Sequence, residues 1–281
     1  MILATRGGDL GRAQAREASD ALATRFAEEV DVHAITTEEL DLAVYTGKAD
    51  VAIHRLDRLP LVLHTDLTIG AVLPRGAFTD ALVSRFSLTD LPRCARVATS
   101  NARRKAILLR ARPDLTVVDA FGEVSDRVRR WRVGEVDAIA TSTASLRHAD
   151  LEVSHETLDA KVFVPSPGQG ALACVCKGGS RFEEFLAGID DARTRAEVEI
   201  ERAVLAGLGG NARLPIGAHA VHRGTEIVVR AVVLSPDGRR AVSTVETISV
   251  ADPLYGADEL AEKLKRSGGD VLLAEARKAL K

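Results

Sequence analysis

One pattern constrains this chain more than any single residue. A strand, a glycine-rich or polar turn and a helix follow one another, and later the same succession starts again. Residues 2–5 (ILAT) predict a short buried strand, RGGDLG a turn, and GRAQAREASDALATRF a helix built from good helix formers. VDVHAI predicts the next strand, TEELDLAVYTG a helix ended by Gly47, and ADVAIH a buried strand leading into the loop RLDRLP. The succession restarts at LPRCARVATS, a strand ending at Ser100. NARRKAILLRARP follows as a helix stopped near Pro113, then a strand over LTVVDA, a helix over SDRVRRWRVG and a strand over VDAIATS. The last segment differs. A helix over RTRAEVEIERAVLAGL precedes two alternating strands, EIVVRAVVL and AVSTVETISV, joined by the Asp-Gly turn of DGRR, and helices close the chain. The pattern predicts two α/β lobes and a smaller α+β domain. Boundaries fall at VLPRGA, at PSPGQG and at Asp190–Arg193, so the expected units are residues 1–73 plus 168–189, 74–167, and 190–281. Two segments crossing between lobes imply a cleft. Ligands of open α/β sheets sit beyond the carboxyl ends of strands, so the loops after strands are where chemistry is expected.

Composition limits the partners. The 281 residues carry 38 Lys plus Arg against 40 Asp plus Glu, a balance that does not predict a general nucleic-acid surface. Clustered arginines can still hold small anions. No apolar run approaches membrane-spanning length, and the chain opens on a strand-like segment without a basic stretch and apolar core. A cytoplasmic monomer with a small-molecule carboxylate partner, and neither nucleic acid nor membrane, is the expectation. Three cysteines, Cys94, Cys174 and Cys176, make a disulfide scaffold a poor reading. Cys174 and Cys176 alternate within LACVC and share one strand face, as small core residues do, with no nearby His or further Cys for zinc. No metal motif, phosphate loop or serine nucleophile elbow is present, and GGDLG and LGGN are lone glycine pairs.

Several collinear stretches carry a more specific signal: ATRGGDLGRAQA with Arg6 and Gln14, GKADVAIHRLDRLP, LTIGAVLPRGAFTDALVSR, RVATSNARRKAILLRARPDLTV, FGEVSDRVRRWRVGEVDAIATSTASLR, VPSPGQGALACVCK with Gln169, AEVEIERAVLAGL and GGNARLPIGAHA. In order and over most of the chain, these resemble the hydroxymethylbilane synthase (porphobilinogen deaminase) family. The resemblance implies two periplasmic-binding-protein-like α/β lobes plus a small third α+β domain. It implies head-to-tail joining of four porphobilinogen molecules with release of ammonia, primed by a dipyrromethane cofactor on a cysteine of the third domain. An aspartate would stabilise cationic pyrroles, and arginines would hold acetate and propionate arms. Guanidinium suits that task because it stays charged and grips carboxylate through paired hydrogen bonds. Ser100, Asn101, Arg103 and Arg104 end a strand and open a helix whose free N–H groups and dipole favour anions, so they are expected to form a carboxylate cradle. Arg127 matches another substrate-holding arginine, and Arg6 a cofactor-binding one. Arg129, Arg130 and Arg132 are expected on a solvated face.

The departures from the family are concentrated. Its loop motif HSxKDVP stands here as His54-Arg55-Leu56-Asp57-Arg58-Leu59-Pro60, so Asp57 takes the lysine position and Arg58 that of the catalytic aspartate. A cation there reverses an interaction of about 4 kcal/mol at roughly 4 Å and an effective dielectric of about 20. The family text GGCxxPIGA becomes Gly209-Gly210-Asn211-Ala212-Arg213-Leu214-Pro215-Ile216-Gly217-Ala218, placing Ala212, or counting forward Asn211, at the cysteine position. Neither can form a thioether, so no cofactor and no covalently bound dipyrromethane is expected. A Lys-, Gly- and Asp-rich lid after VHAITT is missing, Phe121 replaces an arginine before GNV, and His148 replaces the arginine after the lysine of AGLKR.

Three functions compete. In the first, a specialised enzyme acts on a carboxylate-bearing, porphobilinogen-like molecule with transferase or lyase-type chemistry, using Asp57, Arg58, His54 and His148. In the second, a two-lobed module closes on a dicarboxylate without turnover. In the third, hydroxymethylbilane synthase activity persists through a shifted loop. Ammonia and an Ehrlich-positive product distinguish the third, and ligand uptake without product the second.

Overall fold

The computed structural model describes residues 1–26, 31–35, 39–120 and 122–280. The expected shortened connection around Thr37, and Phe121, lie outside the described residues. The first lobe is built on a five-stranded sheet in the order β2-β1-β3-β10-β4. Its strands are β1 (Ile2–Thr5), β2 (Asp31–Ala34), β3 (Val51–Arg55), β4 (Leu67–Val72) and β10 (Leu172–Lys177). β1 pairs in parallel with β2 and β3, whereas β10 runs antiparallel between β3 and β4. The second lobe repeats this plan in the order β7-β6-β8-β5-β9. Here β5 (Asp80–Ser84) is the antiparallel insertion beside β6 (Arg96–Ala98), β7 (Thr116–Val118), β8 (Ala138–Ser142) and β9 (Glu156–Leu158). Each lobe thus takes in one strand delivered by a segment crossing from the other, one before β5 and one before β10.

Helices cover the sheets: α1 (Gly8–Phe26), α2 (Leu40–Tyr45) and α6 (Arg181–Ala187) in the first lobe, and α3 (Ala102–Ala111), α4 (Val124–Arg132) and α5 (Thr143–His148) in the second. α3 starts where it does because the Asn101 side chain caps it, accepting from the Arg104 N–H at 2.9 Å. In α4, Glu123 and Asp126 form a reciprocal capping box. The buried Cys174 and Cys176 share one core with Leu3, Ile53 and Leu186, as their alternation predicts.

The third unit joins α7 (Ala192–Gly207), the antiparallel sheet β11 (Ile216–Arg223), β12 (Glu226–Leu234) and β13 (Ala241–Ser249), and helices α8 (Pro253–Leu264) and α9 (Asp270–Lys278). The Asp237-Gly238 hairpin tip lies against α3. A Cβ at Gly238 would stand 2.2 Å from the Ala106 carbonyl oxygen, and its φ of +71° also calls for glycine. Val232 and Leu234 join the second-lobe core. On the other side, Arg202 of α7 donates to the carbonyls of Leu59 and Pro60 at 3.1 and 2.7 Å. The third unit therefore braces both lobes and holds the loop after β3. No described helix is long and apolar enough to cross a membrane.

Candidate anion-binding cleft

The loop after β3 is shaped by burial. Leu56 and Leu59 are buried, so the short 3-10 turn Leu56–Arg58 turns Asp57 and Arg58 away from the core. Arg55 grips Asp57 with two hydrogen bonds, Nε to Oδ1 at 3.0 Å and Nη2 to Oδ2 at 2.7 Å. Burial works to raise the pKa of Asp57, but the charges of Arg55, Arg58 and Arg104 outweigh it and hold the carboxyl below its ordinary value. Asp57 is therefore a fixed anion.

The charges around it are mostly positive. Arg58 has its pKa lowered by desolvation, with Arg55 and Arg6 adding to the effect and Asp57 opposing it. Desolvation also lowers Arg127, opposed by Glu123 and reinforced by Arg58 and Arg55. Arg104 is lowered by desolvation, and Arg103 and Arg55 add to this against Asp80. Guanidinium groups of the first lobe (Arg55, Arg58) thus sense those of the second (Arg104, Arg127) across the gap, with Arg6 acting on Arg58 within the first lobe. Arg58 lines a cleft of about 680 Å³ with Ser100, Asn101, Lys105, Ala212 and Arg213. Among the described residues, Arg6, Arg58, Lys105 and Arg213 form no ion pair with a carboxylate.

Several expected ligand contacts are corrected. Arg103 and Arg104 converge on the chain's own Asp80, which opens β5. Arg103 Nη1 donates to Oδ2 at 2.7 Å, Arg103 Nη2 to Oδ1 at 3.0 Å and Arg104 Nε to Oδ1 at 2.7 Å. Asp80 is fully buried and Arg103 is 1% exposed, so the expected cradle is an internal ion cluster. Burial raises the pKa of Asp80, but the two arginines outweigh it and keep the carboxyl ionised. Gln169 completes the cluster instead of facing a ligand. Its Nε2 donates to the Phe78 carbonyl at 2.6 Å and to Asp80 at 3.0 Å, and its Oε1 accepts from both arginines. Phe78–Asp80 lies on one crossover and Gln169 on the other, so the cluster locks the two together.

His54 does not join Asp57. Its Nε2 lies 2.9 Å from Asp41 Oδ1 on α2, whereas Asp57 lies past the end of β3 in the 3-10 turn and is held by Arg55. His148 on α5 pairs with Glu17 on α1 at 2.8 Å and so links the lobes. Gln14 is buried in α1, and Asn101 serves as the helix cap. Ser100, Arg6, Arg58 and Arg127 are left as groups near the cleft. Sequence reasoning missed Arg55, Asp80, Lys105 and Arg213. Asp80 had a usable signal, an acidic residue within the apolar strand TDALVS that demands a buried cation.

Two lobes of one plan, joined by two crossovers and braced by a small α+β domain, define a protein of the periplasmic-binding-protein-like two-lobed class. Residues 28–182 match the family model described as porphobilinogen deaminase, dipyromethane cofactor binding domain, and residues 195–266 match porphobilinogen deaminase, C-terminal domain. The porphobilinogen deaminase of Rubrobacter xylanophilus is 38% identical over 260 residues, covering 85% of either chain. A probable porphobilinogen deaminase of Ignicoccus hospitalis is 42% identical over 231 residues, 81% of this chain and 75% of its own. A periplasmic substrate-binding protein of an ABC transporter from Coxiella burnetii aligns in structure over 70% of this chain and 94% of its own, at 14% identity and a TM-score of 0.47. The chain belongs to the porphobilinogen deaminase family.

This membership corrects the expectation of no cofactor: the domain matched by residues 28–182 is the one that binds dipyrromethane in the family. The residues fit that group unevenly. The cations of the cleft suit its acidic arms, whereas Ala212 lines the cleft with a methyl group where the family motif has cysteine. Cys94 is exposed elsewhere, and Cys174 and Cys176 are buried in β10, where desolvation pushes their thiols up to about 12 and about 11.

Proposed function

We propose that this chain works on porphobilinogen or a pyrrole of the same class, held by its carboxylates between the lobes, in hydroxymethylbilane-synthase-type chemistry altered at Asp57 and Arg58. One observation carries the reading. Arg55 and Arg58 from one lobe, with Arg6 beside Arg58, lie within electrostatic reach of Arg104 and Arg127 from the other, while Asp57 is clasped by Arg55 and Asp80 is shared by Arg103 and Arg104. That surplus of cation favours a ligand with several carboxylates, and a porphobilinogen-type pyrrole offers two. The names of the relatives support the same substrate class. Asp57, held anionic, is the group available to offset a cationic pyrrole. Its charge is already shared with Arg55, so condensation is expected to lag behind binding. That same clasp favours a second reading, binding without turnover.

The test is calorimetric titration of the purified chain with porphobilinogen, followed by assay of ammonia and product mass. Binding with ammonia release and an oligopyrrole product is the expected result. Binding without ammonia selects the second reading, and no binding overturns both.

A further inference from the structure

The cleft of about 680 Å³ adjoins a second cavity of about 330 Å³ beneath the loop after β3. Three residues line both: Arg58, Ala212 and Arg213. They form a neck with a guanidinium from the first lobe, a guanidinium from the third unit, and a methyl group. No carboxylate among the described residues pairs with either arginine. Asp57, the nearest acid to Arg58, has both oxygens on Arg55. Arg202, the other cation of the smaller cavity, is tied to the carbonyls of Leu59 and Pro60. The neck therefore holds two guanidinium forks without a carboxylate partner among the described residues, although Asp119 also lines the larger cleft and Asp57 the smaller one.

We infer that Arg58 and Arg213 form a carboxylate clamp across Ala212, a subsite shared by the first lobe and the third unit, which takes one acidic arm of a pyrrole carboxylate. Guanidinium forks bind carboxylate in paired, directional hydrogen bonds, and neither fork is already committed to an acid of the chain among the described residues. The small side chain at 212 leaves room for the arm. Arg58 thus has a role of its own, and Arg213, in the third unit, would make ligand uptake depend on how that unit docks.

The inference rests on the pyrrole-carboxylate reading above, and the test separates the two. Porphobilinogen is titrated into wild type, Arg58→Ala, Arg213→Ala and the double variant, each checked for unchanged circular dichroism and melting. Each single variant should bind about tenfold or more weakly, and the double variant should lose less than the product of the two, because both arginines hold one group. Arg58→Lys should recover only part of the affinity, since it keeps charge without the fork. A second readout does not depend on the arginines. In a Cys94→Ser, Ala212→Cys protein, porphobilinogen should slow alkylation of the new thiol by a neutral maleimide. Wild-type binding that both alanine variants keep within twofold, or a thiol that the ligand leaves unprotected, overturns the clamp while the cleft reading stands. No binding by wild type overturns the cleft reading itself.

Discussion

Replacing Asp80 by Asn tests whether the buried ion cluster holds the crossovers. The carboxylate accepts from Arg103 twice, from Arg104 and from Gln169, at 2.7 to 3.0 Å. Arg103 and Arg104 are 1% and 6% exposed, so water cannot replace the lost charge. Breaking a buried ion pair by removing one partner costs about 3–5 kcal/mol. At about 2–4 °C per kcal/mol for a chain approaching this size, the melting temperature at pH 7 should fall by roughly 10 °C. Asp80→Leu combined with Arg103→Met, which removes charges in a pair, should recover part of the loss. The folded-state pKa of Asp80 is lowered, burial being outweighed by Arg103 and Arg104. Its stabilisation is therefore complete above the unfolded-state value near about 3.9 and disappears only as pH falls through the lower folded-state value. The gap between wild type and variant, followed by thermal melts, should be constant from about pH 5 to 8 and narrow in stronger acid. A fall of under about 2 °C at pH 7 would show that this charge does not secure the crossovers.

Gly238→Val places a Cβ 2.2 Å from the Ala106 carbonyl oxygen at a φ of +71°, so it should destabilise by about 1–3 kcal/mol and expose the hairpin to limited proteolysis. His148→Ala removes a partly exposed link and should cost about 1 kcal/mol or less in urea unfolding at pH 6. The hydrogen bond from His148 lowers the pKa of Glu17 against desolvation, so this difference should fade as pH drops below the unfolded-state value of about 4.3. Affinity for porphobilinogen should weaken as salt rises from about 0.05 to 0.5 M, because Lys105 and Arg213 at the cleft are open to solvent and screened. An affinity independent of salt would count against ionic capture.

The fold was legible because its cause is local. Two runs of strand, turn and helix write the two sheets into the pattern of apolar residues, and the DGRR turn writes the hairpin. The site was legible only in its residue types. From the sequence, Arg103 and Arg104 at a helix start and Arg58 in a loop are all arginines after strands. What separates them is Asp80, which lies 23 positions before Arg103 and meets it through the crossover. A long-range ion pair of that kind leaves no periodic trace, so the paired arginines passed for ligand holders. His54 and His148 misled for the same reason: their partners, Asp41 and Glu17, lie on other elements and become visible only once the helices pack.

The arginines divide by what they face, and that division sets the energetics of the cleft. Arg103 and Arg104 meet one buried carboxylate at the point where the crossovers touch, so half of their charge is neutralised inside the chain and the cluster stiffens the connection between lobes. Arg58 and Arg127 meet across the gap with Asp57 and Glu123 opposing the repulsion only in part. Like charges facing one another across the gap repel, and Arg55 and Arg58 both act on Arg127. An anion entering the gap gains its own contacts and also cancels this repulsion, so its affinity reports on both lobes together. Neutralising Arg127 should therefore change binding less than its hydrogen bonds alone suggest, because the lost contact is offset by relief of strain in the empty cleft. A ligand held by one lobe alone would show no such offset.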